Sequence, residues 1–112
     1  MDFPLTNFQI AIQKVFNDYI NFLGETEDIH LEAVIDKDHD RYLLIELGWE
    51  NGRRIYGTLI HIDIINNKLW IQQDGTEAGI ADDLIAFGIP KHQIVLGFKP
   101  IERRELTEFA VF

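Results

Sequence analysis

The chain has no cysteine, which removes a disulfide framework and every thiolate metal site from consideration. Any metal would have to be held by His, Asp or Glu. No stretch approaches the ~20 apolar residues of a membrane span. The opening residues MDFPLTNFQ also lack the basic region and apolar run of a leader, so a cytoplasmic location is expected. Internal repeats, linkers and low-complexity segments are missing too, and 112 residues read as one domain that can bury roughly two thirds of its unfolded surface. Basic residues are scarce: 10 Lys and Arg stand against 19 Asp and Glu, for a formal charge of −9. DNA-binding proteins gain affinity chiefly by neutralising phosphates with Lys and Arg, so this field opposes autonomous DNA binding and anionic membranes alike.

What is present is a change of period along the chain. Thr6 to Gln9 has the T-x-x-Q spacing of a capping box. Phe8, Ile12, Val15, Phe16, Tyr19, Ile20 and Leu23 follow at helical spacing, and Gly24 is expected to end that helix. From Ile29 the period becomes two, predicting a strand over 29–36 with one wet face. A second strand over 42–50 carries Leu43, Ile45, Leu47 and Trp49 on one side. Asn51-Gly52 is a hairpin signal because a tight I′ turn needs φ > 0 at both centres. A third strand follows over 53–65, apolar on both faces, and Asn66-Asn67 turns into a fourth over 68–73. Bulk on both faces predicts that a second layer, helix or partner subunit, covers part of each side. Helical period returns at Ile80, Leu84 and Phe87 and stops at Gly88-Ile89-Pro90. A short buried strand over 94–98, a turn or brief helix over 100–105 and an apolar end of Phe109, Val111 and Phe112 complete the chain. That end is expected to dock on the body or on a neighbour. The fold class is α+β: an N-terminal helix, a four-stranded antiparallel meander, a second helix and a short C-terminal strand.

Candidate sites are few. His61 and Asp63 share a strand face, and Asp74 and Glu77 follow closely, so the four are candidates for a divalent-metal enzyme site. The simpler reading leaves His61 hydrogen-bonded to Asp63 and has Asp74 or Thr76 cap the second helix. A nuclease would pair Asp63 with a later Glu-x-Lys, and the strand Leu69-Trp70-Ile71-Gln72-Gln73 supplies neither. Arg53-Arg54 and Arg103-Arg104 offer a weak DNA-binding alternative, against their expected role as partners of nearby carboxylates. Trp49 and Trp70 read as core or interface anchors, with Trp70 expected to be buried.

Several runs resemble a known family. They are Gly48-Trp49, Arg53-Arg54-Ile55-Tyr56-Gly57, His61-Ile62-Asp63-Ile64, Lys68-Leu69-Trp70-Ile71-Gln72, Asp74-Gly75-Thr76-Glu77-Ala78-Gly79-Ile80-Ala81, Gly88-Ile89-Pro90-Lys91 and Arg104 with Thr107 to Val111. Together they resemble the XisI family, the fdxN element excision controlling factors of cyanobacteria, over nearly the whole of 1–112. The resemblance implies a non-enzymatic regulatory subunit without a cofactor. Such a subunit controls site-specific excision of a DNA element during heterocyst development and binds an XisH-type protein. With the two-faced sheet and apolar end it also leads to the expectation of a homodimer whose interface candidates are Trp49, Trp70, Phe109, Val111 and Phe112.

Overall fold

Alternating apolar rows that need cover on one side, and an amphipathic helix that needs a surface, meet in a sheet with helices packed on one face. The computed structural model describes residues 5–23 and 28–112, with only the backbone of Leu5, Thr6 and Leu23. Helix α1 spans Leu5–Leu23, and strands β1 (Ile29–Asp36), β2 (Arg41–Glu50), β3 (Arg53–Ile65) and β4 (Lys68–Asp74) follow as an antiparallel meander. Short helix α2 (Ala81–Ala86) then carries the chain back, so that β5 (Ile94–Leu96) joins β4 in parallel, as a crossover connection requires. A brief helix α3 (Ile101–Arg104) precedes the end, and the sheet order is β1-β2-β3-β4-β5. The helix starts one residue ahead of Thr6; the Thr6 side chain and the Gly24 stop lie outside the described residues.

The turns follow from residues that tolerate positive φ. Asn51 (φ 51) and Gly52 (φ 77) give the β2–β3 hairpin its I′ geometry, and Asn66 (φ 51) with Asn67 (φ 59) repeats it between β3 and β4. Between the helices and the sheet lies the core. Phe8, Ala11, Ile12, Val15 and Phe16 of α1 and Leu84 of α2 meet Tyr42, Leu44, Ile60, Ile62, Ile64, Leu69, Ile71 and Ile94, all buried. Each such Ile, Leu or Phe contributes about 1.5–3 kcal/mol of burial. The buried Gln93 is satisfied by donating to the Asn67 carbonyl at 3.1 Å, which ties the start of β5 to the β3–β4 turn.

Asp74 organises the loop into α2. Its Oδ2 accepts from the Ile80 N–H at 2.8 Å and its Oδ1 from the Thr76 N–H at 3.0 Å, while Thr76 Oγ1 accepts from Gly79 at 3.2 Å. On α2 itself, burial pushes the Asp83 carboxyl above its ordinary 3.8, and Asp18, Asp82 and Asp74 add to the shift. A raised carboxyl pKa means that the folded state binds the proton more tightly, so stability falls as pH rises from 3.8 through the folded value. Asp83→Asn is therefore expected to raise the thermal midpoint at pH 7. That gain should vanish near pH 3, and thermal scans at the two pH values check it.

Candidate functional site

Partners across an antiparallel ladder share a face, so the register separates the two sides of the sheet. Tyr42, Leu44, Ile60 and Ile62 point to the helices. The opposite face receives His30, Glu32, Val34 and Asp36 from β1, and Arg41, Leu43, Ile45, Leu47 and Trp49 from β2. From β3 and β4 come Arg54, Tyr56, Thr58, His61, Asp63, Lys68 and Trp70. Neither α1 nor α2 packs over it, and the row from Leu43 to Trp49, expected as one side of the second strand, is the open side. The strand residues here carry Arg41, Arg54 and Lys68 against Glu32, Asp36 and Asp63. This face is thus balanced in charge within a chain of −9. Apolar and charge-balanced surface is the kind that partners bury.

At the hairpin end of the face Trp49 is 55% and Tyr56 70% exposed. The Arg54 guanidinium lies 5.4 Å from the Trp49 ring centre and 5.9 Å from that of Tyr56, and its Nη1 donates to the Gly48 carbonyl at 3.3 Å. Trp, Tyr and Arg are the residue types that dominate binding energy at interfaces. Here they form one preordered stack. The expectation of a core or interface anchor at Trp49 resolves against the core.

In the middle of the face a polar cluster surrounds Asp63. His61 Nε2 sits 2.9 Å from Asp63 Oδ1, Gln72 Nε2 donates to Asp63 Oδ2 at 3.3 Å, and Arg41 Nε stands 3.8 Å away. A register shift between His61 and Ile62 makes β4 bulge beside this pair. Asp74 pairs with Ile60, on the helix side, and is occupied by the loop amides; Glu77 is exposed. His61 and Asp63 are thus brought together and Asp74 and Glu77 are not. Among the described residues no three His, Asp or Glu stand so as to hold a metal ion.

The C-terminal segment covers the far part of this face. Gly97 lies so close to β4 that a Cβ there would stand 2.7 Å from Gln72 Oε1 and 3.2 Å from the Trp70 ring. The Ala110 N–H donates to the Ile94 carbonyl at 2.9 Å, and Phe109 packs on the core. The expected docking of the apolar end is thus onto the body. Val111 is half-buried and Phe112 stays 65% exposed. Arg104 bolts the segment down: its guanidinium lies 5.2 Å from the Trp70 ring centre, Nε donates to Lys99 O at 2.8 Å and Nη1 to Val111 O at 3.2 Å. Trp70 is half-buried under this arginine instead of fully buried in the core.

Arg54 and Arg104 depart from the expected pairing with carboxylates. Both are held by carbonyl oxygens and ring faces instead, because a planar guanidinium stacks and donates at once. Arg104 is half-buried and committed through two donors, whereas Arg54, for all its stacking, is exposed together with Arg53 and Arg103. Nothing in the local sequence marks the stacking, since it depends on a hairpin partner and on a tail folding back. Arg104→Ala is expected to cost about 2 kcal/mol by stripping charged hydrogen bonds and to expose the tail to protease. Arg103→Ala should stay within about 0.5 kcal/mol. Urea titration and limited proteolysis of the two variants check the contrast.

Residues 1–111 match the model of the family described as XisI protein. An XisI-like protein from Anabaena variabilis, solved by crystallography, superposes with a TM-score of 0.88 at 29% identity, covering 97% of this chain and 100% of that one. A second crystal structure, the fdxN element excision controlling factor XisI from the same organism, gives 0.81 at 33% identity, covering 96% and 98%. A search of proteins with curated descriptions finds no match.

Proposed function

This chain belongs to the XisI family and is a homologue of an fdxN element excision controlling factor, and from that premise we propose that it controls excision of a DNA element by binding protein, without catalysing a reaction. In this reading it acts in the cytoplasm as a homodimer and engages an XisH-type partner through the open face of the sheet. The element is of the fdxN type, excised during heterocyst development, and a separate recombinase does the chemistry.

The observation that carries the reading is the stack of Trp49, Arg54 and Tyr56 on an uncovered, charge-balanced face. The net charge of −9 adds long-range attraction for a basic partner, which raises the encounter rate, while the aromatic stack supplies the short-range contact. A metal-enzyme reading on His61, Asp63, Asp74 and Glu77 has no such support, because Asp74 and Glu77 stand apart from the His61–Asp63 pair. Direct DNA binding through the Arg pairs is weakened by the engagement of Arg104.

Co-expression with an XisH-type protein, followed by size-exclusion chromatography with light scattering, tests the reading. A stable complex that fails to form with Trp49→Ala is the expected result. Separate elution of the two unaltered chains would overturn it.

A further inference from the structure

Strand β1 ends the sheet, and among the described residues no strand pairs with its outer side. Natural edge strands are kept from pairing by proline, charged side chains and lysine above all, bulges or shortness. This one has only two charges, Glu32 and Asp36, both on one face. Its eight residues IHLEAVID contain no proline or lysine, its pairing with β2 runs without a register shift, and Ala33, Val34 and Ile35 are all exposed.

We infer that β1 pairs antiparallel with β1 of a second copy of this chain, with Ala33 opposite Ala33 on the twofold axis. This deepens the homodimer of the proposed function by naming its surface and register. Directly opposed residues in antiparallel strands lie on the same face, and the faces of β1 alternate as Ile29, Leu31, Ala33, Ile35 and His30, Glu32, Val34, Asp36. Two registers satisfy this while leaving one residue of the eight overhanging. The first, centred on Glu32, sets that carboxylate against its own copy, a destabilising like-charge pair.

The second is centred on Ala33. It sets His30 against Asp36, Leu31 against Ile35 and Glu32 against Val34, so opposite polarity and apolar bulk meet and no like charges are opposed. Asp36 is already held as an acceptor, taking a hydrogen bond from the His39 N–H at 3.2 Å with the ring Nδ1 at 2.8 Å. Joining the two five-stranded sheets in this register makes one of ten. Its twofold stands perpendicular to the sheet, so both Trp49–Arg54–Tyr56 stacks end on the same side. One dimer then offers a partner two equivalent contacts.

Absence of cysteine makes the test clean. Light scattering of the chain alone is expected to give twice its 13.0 kDa. Ala33→Cys should form a disulfide-linked dimer rapidly under mild copper-phenanthroline oxidation, and Glu32→Cys should lag at least tenfold. Ala33→Lys, with unchanged circular dichroism, should elute as monomer. A monomeric unaltered chain at high concentration would overturn the dimer. A dimer in which Glu32→Cys links as fast as Ala33→Cys, or which survives Ala33→Lys, would overturn the surface and register. Binding of an XisH-type protein is measured separately, so its loss or retention leaves these outcomes distinct.

Discussion

Gly48→Ala is expected to destabilise the fold by about 3 kcal/mol or more, as severe overpacking does. Gly48 is buried in β2, where it pairs with Ile29 on one side and Ile55 on the other. Its φ of +157° already disfavours a side chain, and a Cβ there would lie 1.9 Å from the Asp28 carbonyl oxygen and 2.7 Å from Ile29 Cα. Both obstacles are backbone, so neither can swing away. Relief would require β1 to move off β2, breaking the hydrogen bond from the Trp49 N–H to Asp28 O at 2.9 Å. Gly57→Ala is the control, because nothing lies within 4 Å of its Cβ position. Urea unfolding of both variants checks the contrast, and equal midpoints would contradict the close approach.

Phe16→Ala should lose about 3–5 kcal/mol, the usual cost of a large cavity in a packed core. Phe16 is only 1% exposed, at the centre of the α1 stripe that closes over the sheet. Set against a typical total of 5–15 kcal/mol, that loss leaves a marginal protein. Phe22, in the same helix and 85% exposed, tests whether aromatic character or burial matters. Phe22→Ala is expected within about 0.5 kcal/mol of the unaltered chain. Thermal or urea unfolding separates the pair.

These two predictions rest on features of unequal legibility. The α1 stripe is readable from Phe8 to Phe16, because helical spacing leaves one set of positions apolar. Both hairpins are readable from Asn51-Gly52 and Asn66-Asn67, because few other residues accept their φ values. The expected cap of α2 by Asp74 or Thr76 falls short of the helix: both side chains accept from the loop amides of Thr76, Gly79 and Ile80, and the first turn of α2 takes no side-chain cap.

The choice of face was not legible. On β2, Tyr42 and Leu44 alternate with Leu43, Ile45, Leu47 and Trp49, so a period of two divides the strand into rows without saying which row the helices take. The heavier row, with its tryptophan, is the open one. The register shifts at Leu44/Ile45 and His61/Ile62 carry no residue cue either, yet they decide that Asp63 meets Gln72 and Trp70 while Asp74 turns to the helix side. The pairing of His61 with Asp63 was visible as an i, i+2 spacing on a strand. The anchoring of Arg104 was not, because its partners Lys99, Val111 and Trp70 come together only when the end of the chain folds back.

Binding of an XisH-type protein to the unaltered chain and to Trp49→Ala, compared by titration calorimetry with unfolding midpoints measured alongside, addresses the open face most directly. Trp49 is exposed, so its truncation should leave stability within about 0.5 kcal/mol while weakening binding at least tenfold, with Tyr56→Ala acting in the same direction. Undiminished affinity in a folded Trp49→Ala variant would contradict the assignment of the open face as the functional surface.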